Sequence, residues 1–498
     1  MTRAESLAAI DRDSWDVCVI GGGATGLGTA LDAATRGYRT VLVERDDFAK
    51  ATSSRSTKLI HGGVRYLRAG RVSLVLEALR ERGLLLRNAP HLVRPIEFII
   101  PARATWEAPF YGVGLKVYDL LAGRLGLAPS RILSRAEVLA RLPGLEPTGL
   151  RCGIAYSDAQ FDDARLAVAL ARSVADHGGA ALNYAPVVNL LKRSGKIEGV
   201  RIRDAETGAE RDILARVVIN ATGVFSDSIR RLDEPAAPPV ITASQGSHVV
   251  LPLECLGGSS ALMIPRTSDG RILFAIPWHG RLIAGTTDNV VPVITAEPRP
   301  MEAELDFILS TAARYLARPP QRSQILSMYA GLRPLIHTGP VRRSASISRE
   351  HAILVSGSGL VTVAGGKWTT YRKMAEDTVD HAAKAAGLDP RPCRTASLLL
   401  HGSDAGQIAE LGKSAAIHPR LPYTAGEVIW AARHEMARTV EDILARRTRS
   451  LLLDAAASIE AAPMIARLMA AELGRDDHWV ATQVSTYTEL ARGYLPDL

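Results

Sequence analysis

A chain of 498 residues is too long for one hydrophobic core and is expected to divide into two or three domains. Lysine and arginine outnumber aspartate and glutamate by 60 to 52, giving a formal charge of +8 and a calculated pI near 9.4, a balance that favours anionic partners without naming one. Hydrophobic content of 47% and charged content of 22% are those of a globular protein, and no uncharged apolar run reaches the roughly 18 residues of a membrane-spanning helix. Residues 1–13 mix charged and small side chains without the apolar stretch of an export signal, so a cytoplasmic location is expected. Cys18, Cys152, Cys255 and Cys393 stand far apart, which points to free thiols and to no structural metal.

The first structured stretch is Asp-Val-Cys-Val-Ile at 16–20, read as a strand, followed by Gly-Gly-Gly-Ala-Thr-Gly at 21–26 and a helix-compatible run to Arg36. This is the pattern of a phosphate-cradling turn in a dinucleotide-binding βαβ unit. Gly21 makes the tight turn, Gly23 lets a pyrophosphate approach the backbone, and Gly26 lets helix and strand pack closely. The N–H groups around Ala24 and Thr25 and the positive end of the helix dipole then face the anion. Gly37 stops the helix, 39–43 reads as a second strand, and Glu44 ends it within reach of a ribose diol, with Arg45 beside it. The unit alone does not separate NAD from FAD.

Residues 52–67 are dense in hydroxyls and bases. Ser53, Ser54, Thr57, Lys58 and His61, with Leu59, are candidates to hold a second part of an extended cofactor, and Gly62 and Gly63 permit a flat ring on the backbone. A capped helix start with solvated bases would show the same composition. Residues 72–88 predict an amphipathic helix with Val72, Leu76, Leu79 and Gly83 on one face, and 96–100 a buried strand ended by Pro101. Between 105 and 128, Trp106, Phe110, Tyr111 and Tyr118 interleave with Lys116 and Arg124; on a helical period Phe110, Val113, Val117, Leu120 and Leu121 share one side. Such a stripe rests either in a membrane interface or on its own protein.

A helix is expected over 163–177, short strands near 187–192, with Val188, and 198–203, and a strand from Arg216 into the turn Ala221, Thr222, Gly223. The runs 242–253, 261–265, 272–277 and 282–288 suggest an antiparallel sheet that interrupts the nucleotide fold. A strand at 352–356, the turn at 365–366 and a helix to about 386 return to it, and from Pro390 the chain reads as a separate helical domain.

Two features favour FAD. Gly365 and Gly366, followed by Trp368, Thr369 and Thr370 at a helix start, offer N–H groups to negative charge on a reduced ring, and the nucleotide fold comes in three pieces around a substrate sheet. The stretches 21–28, 56–67, 221–223, 245–248, 285–288, 329–335 and 365–372, with 441–449 in the tail, resemble the FAD-dependent glycerol-3-phosphate dehydrogenases along nearly the whole chain. The resemblance implies an α/β + α protein. An FAD-binding Rossmann-like domain would span 1–95, 155–240 and 335–388, an inserted antiparallel-sheet substrate domain 96–154 and 241–334, and a C-terminal helical domain 389–498.

It further implies oxidation of sn-glycerol 3-phosphate to dihydroxyacetone phosphate, with hydride passing to flavin N5 of a non-covalently bound FAD and electrons going to a membrane quinone. Carried over residue by residue, Arg65, Tyr66, His248, Arg333, Arg349 and Lys367 match the substrate site. His248 is the first choice of base; a core or phosphate-binding histidine is the alternative, and the base is also open to another group or a water. Arg333 and Lys367 supply the fixed cations a phosphate dianion needs, and Lys367 also belongs with the cofactor residues. The resemblance places the protein on the inner face of the cell membrane, touching anionic lipid and binding no nucleic acid, and leaves a homodimer open. No EF-hand pattern is present near the C-terminus. The competing readings are an oxygen-using oxidase of the same substrate, a flavoenzyme for another small hydroxy or amino acid, and a non-enzymatic flavin- and membrane-binding protein.

Overall fold

The strand Trp15–Ile20 pairs in parallel with Thr40–Val43 on one side and Glu210–Asn220 on the other. This is a computed structural model, and it describes residues 2–11, 14–64, 67, 70–336 and 351–496. The order continues outward to Ala180–Leu182 past one neighbour and to Val361–Gly365 and His351–Val355 past the other. Successive side chains of a strand point to opposite faces, so a doubly covered sheet needs an unbroken apolar run. Val17, Val19 and Leu42 pack under the helices Ala24–Thr35, Asp163–Asp176 and Tyr371–Ala385, while Cys18, Ile20, Val41 and Val43 meet the hairpin Val187–Arg193 and Lys196–Arg203.

The second sheet centres on Ile241–Pro252, which pairs antiparallel with Arg281–Gly285 and with Ser327–Ile336. Leu273–Trp278 and Ala261–Ile264 extend it to Val93–Ala102 and Cys152–Phe161. One pairing departs from the expected antiparallel sheet: Ala261–Ile264 runs parallel to Val93–Ala102, because the two come from separate insertions with no hairpin between them. Cys152–Phe161 lies wholly in this sheet and Leu59–Ile60 joins it, so the boundaries expected at 95 and 155 cut across it.

Several local expectations are corrected. The strand expected to stop at Pro101 runs Val93–Ala102 through Pro95 and Pro101. Both prolines lie outside Phe98 and Ile99, where the second neighbour pairs, so their missing donors leave that ladder intact. In the helix Val72–Asn88, Val72 and Leu76 are 41% and 44% exposed, and the buried face is Val75, Ala78, Leu79 and Arg82. Arg82 belongs inside because Asp158 accepts from its Nη1 at 2.6 Å. In the helix Glu107–Ala122, Leu121 packs with Tyr118, Val75 and Leu79, apart from the stripe it was grouped with.

The tail is helical over Ala425–His434, Ala455–Leu473 and Asp477–Arg492. Its core is not separate: Val250, Trp278, Ile283 and Tyr329 of the second sheet share a cluster with Ile443, Leu444 and Ile465. Among the described residues, no helix is long and apolar enough to cross a membrane.

Candidate active site

The glycine turn opens one end of a long cleft. Gly21 has φ +113°, and a Cβ there would come within 2.7 Å of the Ala221 carbonyl oxygen; a Cβ on Gly26 would lie 1.9 Å from that of Gly21. Side chains are thus excluded where strand and helix approach. Gly23 precedes the helix Ala24–Thr35 and has no side chain with which to cap it, so beyond the N–H that Ser53 takes the end stays open to a ligand. Ser53 Oγ accepts from the Ala24 N–H at 2.9 Å. Glu44 Oε2 accepts from Gly22 N–H at 2.5 Å and Oε1 from Asp46 N–H at 2.8 Å, while burial pushes its carboxyl pKa up. Gly21, Gly23, Ala24, Thr25, Glu44, Arg45, Ser53, Ala221, Thr222 and Gly223 line a cavity of about 380 Å³, while Gly26 packs behind the turn. Val187 lines it and the expected Val188 does not, at a point where the pairing of Val187–Arg193 with Lys196–Arg203 shifts register between Val187 and Asn189.

The cleft continues into a second cavity of about 290 Å³ that shares Thr52, Pro334, Gly366, Lys367 and Trp368 with the first. Trp368 is anchored by its Nε1–H to the Ser53 carbonyl at 2.9 Å and by an edge contact with Phe161. Thr57, Leu59, His61, Gly63 and Thr369 form part of the wall. His248 sits mid-strand on Ile241–Pro252, its ring stacked on Tyr329 at 4.7 Å and its Nε2 2.9 Å from Thr57 Oγ1. Burial, then the charges of Arg333 and Lys58, hold its pKa well below the imidazole value, so it is neutral.

Arg333 crosses above Gly246, where a Cβ would come within 2.3 Å of Nη2. It donates to Thr286 Oγ1 at 3.1 Å and to Asp288 Oδ1 at 3.3 Å. Thr286 and Asp288, and the buried Glu304 behind them, were not singled out from sequence. Glu304 accepts from Ser247 Oγ at 2.6 Å, Thr287 Oγ1 at 2.6 Å, Asn289 Nδ2 at 2.8 Å and Gln245 Nε2 at 2.8 Å. The stretch 285–288 did signal the first two, whereas nothing local marks a helical glutamate as their support.

Other expectations change. Lys58 is not a cofactor ligand: it is fully buried, and its Nζ donates to Asp163 at 2.7 and 2.8 Å and to the Ser54 carbonyl at 2.6 Å. The partner lies 105 residues away and left no local trace in the sequence. Ser54 is buried with it and does not line the cleft. Gly62 acts from behind, its N–H donating to Tyr118 Oη at 2.8 Å, and a Cβ there would come within 2.5 Å of that oxygen. Arg65, Tyr66 and Arg349 lie outside the described residues.

Residues 16–372 match the family model described as FAD dependent oxidoreductase, and 359–480 match that of the C-terminal domain of alpha-glycerophosphate oxidase. The chain is 41% identical to the mitochondrial glycerol-3-phosphate dehydrogenase of Homo sapiens, over 97% of this chain and 74% of that one. With the mitochondrial enzyme of Arabidopsis thaliana it is 40% identical, over 94% and 84%. A glycerol-3-phosphate dehydrogenase from Bacillus halodurans, solved in complex with FAD, matches with a TM-score of 0.81 and 29% identity over 100% of this chain and 98% of that one. Glycine oxidase from Geobacillus kaustophilus, at 20% identity and a TM-score of 0.55, shares the fold alone. The residues present fit FAD: the N-terminal end of the helix Ala24–Thr35 would face its pyrophosphate, Glu44 would reach its ribose, and the joined second cavity would take its ring. The chain belongs to the FAD-dependent oxidoreductase family, and within it to the glycerol-3-phosphate dehydrogenases.

Proposed function

We propose that the protein oxidises sn-glycerol 3-phosphate to dihydroxyacetone phosphate and delivers the electrons to a membrane quinone. The observation that carries this reading is the convergence of Arg333, Lys367 and His248 on the cavity that continues the nucleotide cleft. FAD, when bound, supplies the acceptor for the hydride that leaves substrate C2. Arg333, its fork held by Thr286 and Asp288, and Lys367 give the phosphate two cations of fixed position. His248, neutral at physiological pH, takes the proton of the C2 hydroxyl. Arg65, Tyr66 and Arg349 complete the substrate site in this reading.

The acceptor side rests on the helix Glu107–Ala122. Phe110, Val113, Val117 and Leu120 are 42–80% exposed along one face, beside Trp106 and Ile132, with Lys116, Arg124 and Arg131 nearby. Its other face carries Tyr118, whose Oη accepts from Gly62 N–H and donates to Asp158 in the wall of the second cavity. An apolar stripe with flanking bases suits the interface of an anionic bilayer, and it stands on the back of the loop that receives the ring. On this reading the protein sits peripherally on the inner face of the cell membrane.

Anaerobic addition of glycerol 3-phosphate to the purified holoenzyme should bleach the flavin absorbance, and quinone in anionic liposomes should restore it. Replacing Phe110, Val113 and Leu120 together by serine should spare bleaching and slow the recovery. Bleaching by glycine or proline with none by glycerol 3-phosphate would refute the reading.

A further inference from the structure

His248 is only 2% exposed, and its ring is closed in on several sides. Tyr329 covers one face, and the Cδ2 edge lies so near Gly285 that a Cβ there would sit 2.4 Å away. Its Nδ1 is buried with no hydrogen-bond partner among the described residues. The remaining nitrogen, Nε2, meets the Thr57 hydroxyl at 2.9 Å, and Thr57 is half-buried in the cleft wall. A substrate hydroxyl in the cleft therefore meets Thr57 Oγ1 on the way to the imidazole.

Thr57 is held by both neighbours. Ser56 donates through N–H and Oγ to Asp163 at 3.1 and 2.7 Å, its carbonyl accepts from Tyr329 Oη at 3.0 Å, and Lys58 Nζ closes on the same carboxylate. All of this lies beneath the chain, leaving the Thr57 hydroxyl in a fixed position between base and cleft.

We propose that Thr57 is a catalytic residue that relays the proton from substrate to His248. As the hydride leaves C2 for FAD and the C2=O bond forms, the substrate O–H proton passes to Thr57 Oγ1, and the Thr57 proton passes to His248 Nε2. Thr57 ends unchanged, and the imidazole carries one added proton. Before the step Thr57 donates to Nε2, so the neutral ring bears its proton on Nδ1. The inference rests on His248 being the base.

Thr57→Val removes the hydroxyl at nearly constant shape, Thr57→Ser keeps it, and His248→Gln tests the base itself. Two readouts are compared: the rate of anaerobic flavin bleaching by glycerol 3-phosphate, and the affinity for dihydroxyacetone phosphate from the shift of the flavin spectrum. The expected result is a bleaching rate about 100-fold lower in Thr57→Val, within the usual range for general acid–base catalysis, recovered to within about fivefold in Thr57→Ser. Product affinity should change by less than about threefold in both. Rapid bleaching in Thr57→Val with slow bleaching in His248→Gln overturns the relay and leaves the base reading standing. Rapid bleaching in both overturns the base reading as well. Loss of product or FAD binding in Thr57→Val makes the residue a ligand contact and also overturns the relay.

Discussion

A guanidinium in this cleft has to be aimed before it is useful, and Arg333 is aimed by Thr286, Asp288 and the missing side chain of Gly246. Arg333→Ala removes one charge-assisted contact of about 1.5–3 kcal/mol, so KM for glycerol 3-phosphate should rise roughly 10- to 150-fold while FAD stays bound. Steady-state kinetics with a soluble dye acceptor check this. His248 carries a pH prediction of definite sign. Its folded pKa is depressed by burial and by Arg333 and Lys58, so it stays neutral as pH falls through the ordinary value of 6.5, and kcat/KM should hold steady there and decline only at lower pH. The unfolded chain takes up that proton near 6.5, so this residue's contribution to stability declines as pH falls below that value. Gly21, His248 and Arg333 were legible as cleft residues because each stands in a distinctive local stretch. Lys58 was not, because a base among hydroxyls looks the same whether it faces a ligand or a buried Asp163.

The segment 285–290 and the strand Ile241–Pro252 keep their relative positions through Glu304 on the helix Glu302–Ala313. Truncating it leaves the Ser247, Thr287 and Gln245 donors buried without an acceptor, each costing about 1–3 kcal/mol. Glu304→Ala should therefore lower the urea midpoint by the equivalent of at least about 3 kcal/mol and raise KM, as Thr286 and Asp288 lose their footing. An unchanged midpoint would remove Glu304 from this role. Strands and helices of this size were readable where one physical pattern governs, as in the unbroken apolar run of Trp15–Ile20. They were misread where a distant partner intervenes: Arg82 belongs to the buried face of Val72–Asn88 because of Asp158, and Pro101 continues its strand because the second neighbour pairs elsewhere.

The tail is joined to the nucleotide fold by buried charge as well as by apolar packing. Asp47 accepts from Arg446 and Arg447 on the turn Asp442–Arg447, and although burial pushes its carboxyl up, the two guanidinium groups hold it well below the ordinary range. Burial likewise raises Glu297, yet Arg55 and Lys50 bring it down to about 2. Such carboxylates stabilise above the ordinary carboxylate range, and the contribution is lost as pH falls through the folded values. Asp47→Asn should cost about 3–5 kcal/mol by leaving two buried cations short of a partner, and calorimetry should show the loss. This union of tail and cleft was hidden from the sequence, which marked the helical composition of 389–498 but not the partners across the boundary. The two joined cavities make one elongated cleft, with the nucleotide turn at one end, Lys367 where they meet and Arg333 beyond it, the two cations proposed to select the phosphate. Its most direct test is single-turnover flavin bleaching by glycerol 3-phosphate against unphosphorylated glycerol. Two charge-assisted contacts predict a preference of roughly 100- to 20,000-fold for the phosphate ester, collapsing when Arg333 and Lys367 are both replaced by alanine. Equal rates for the two alcohols would contradict the account.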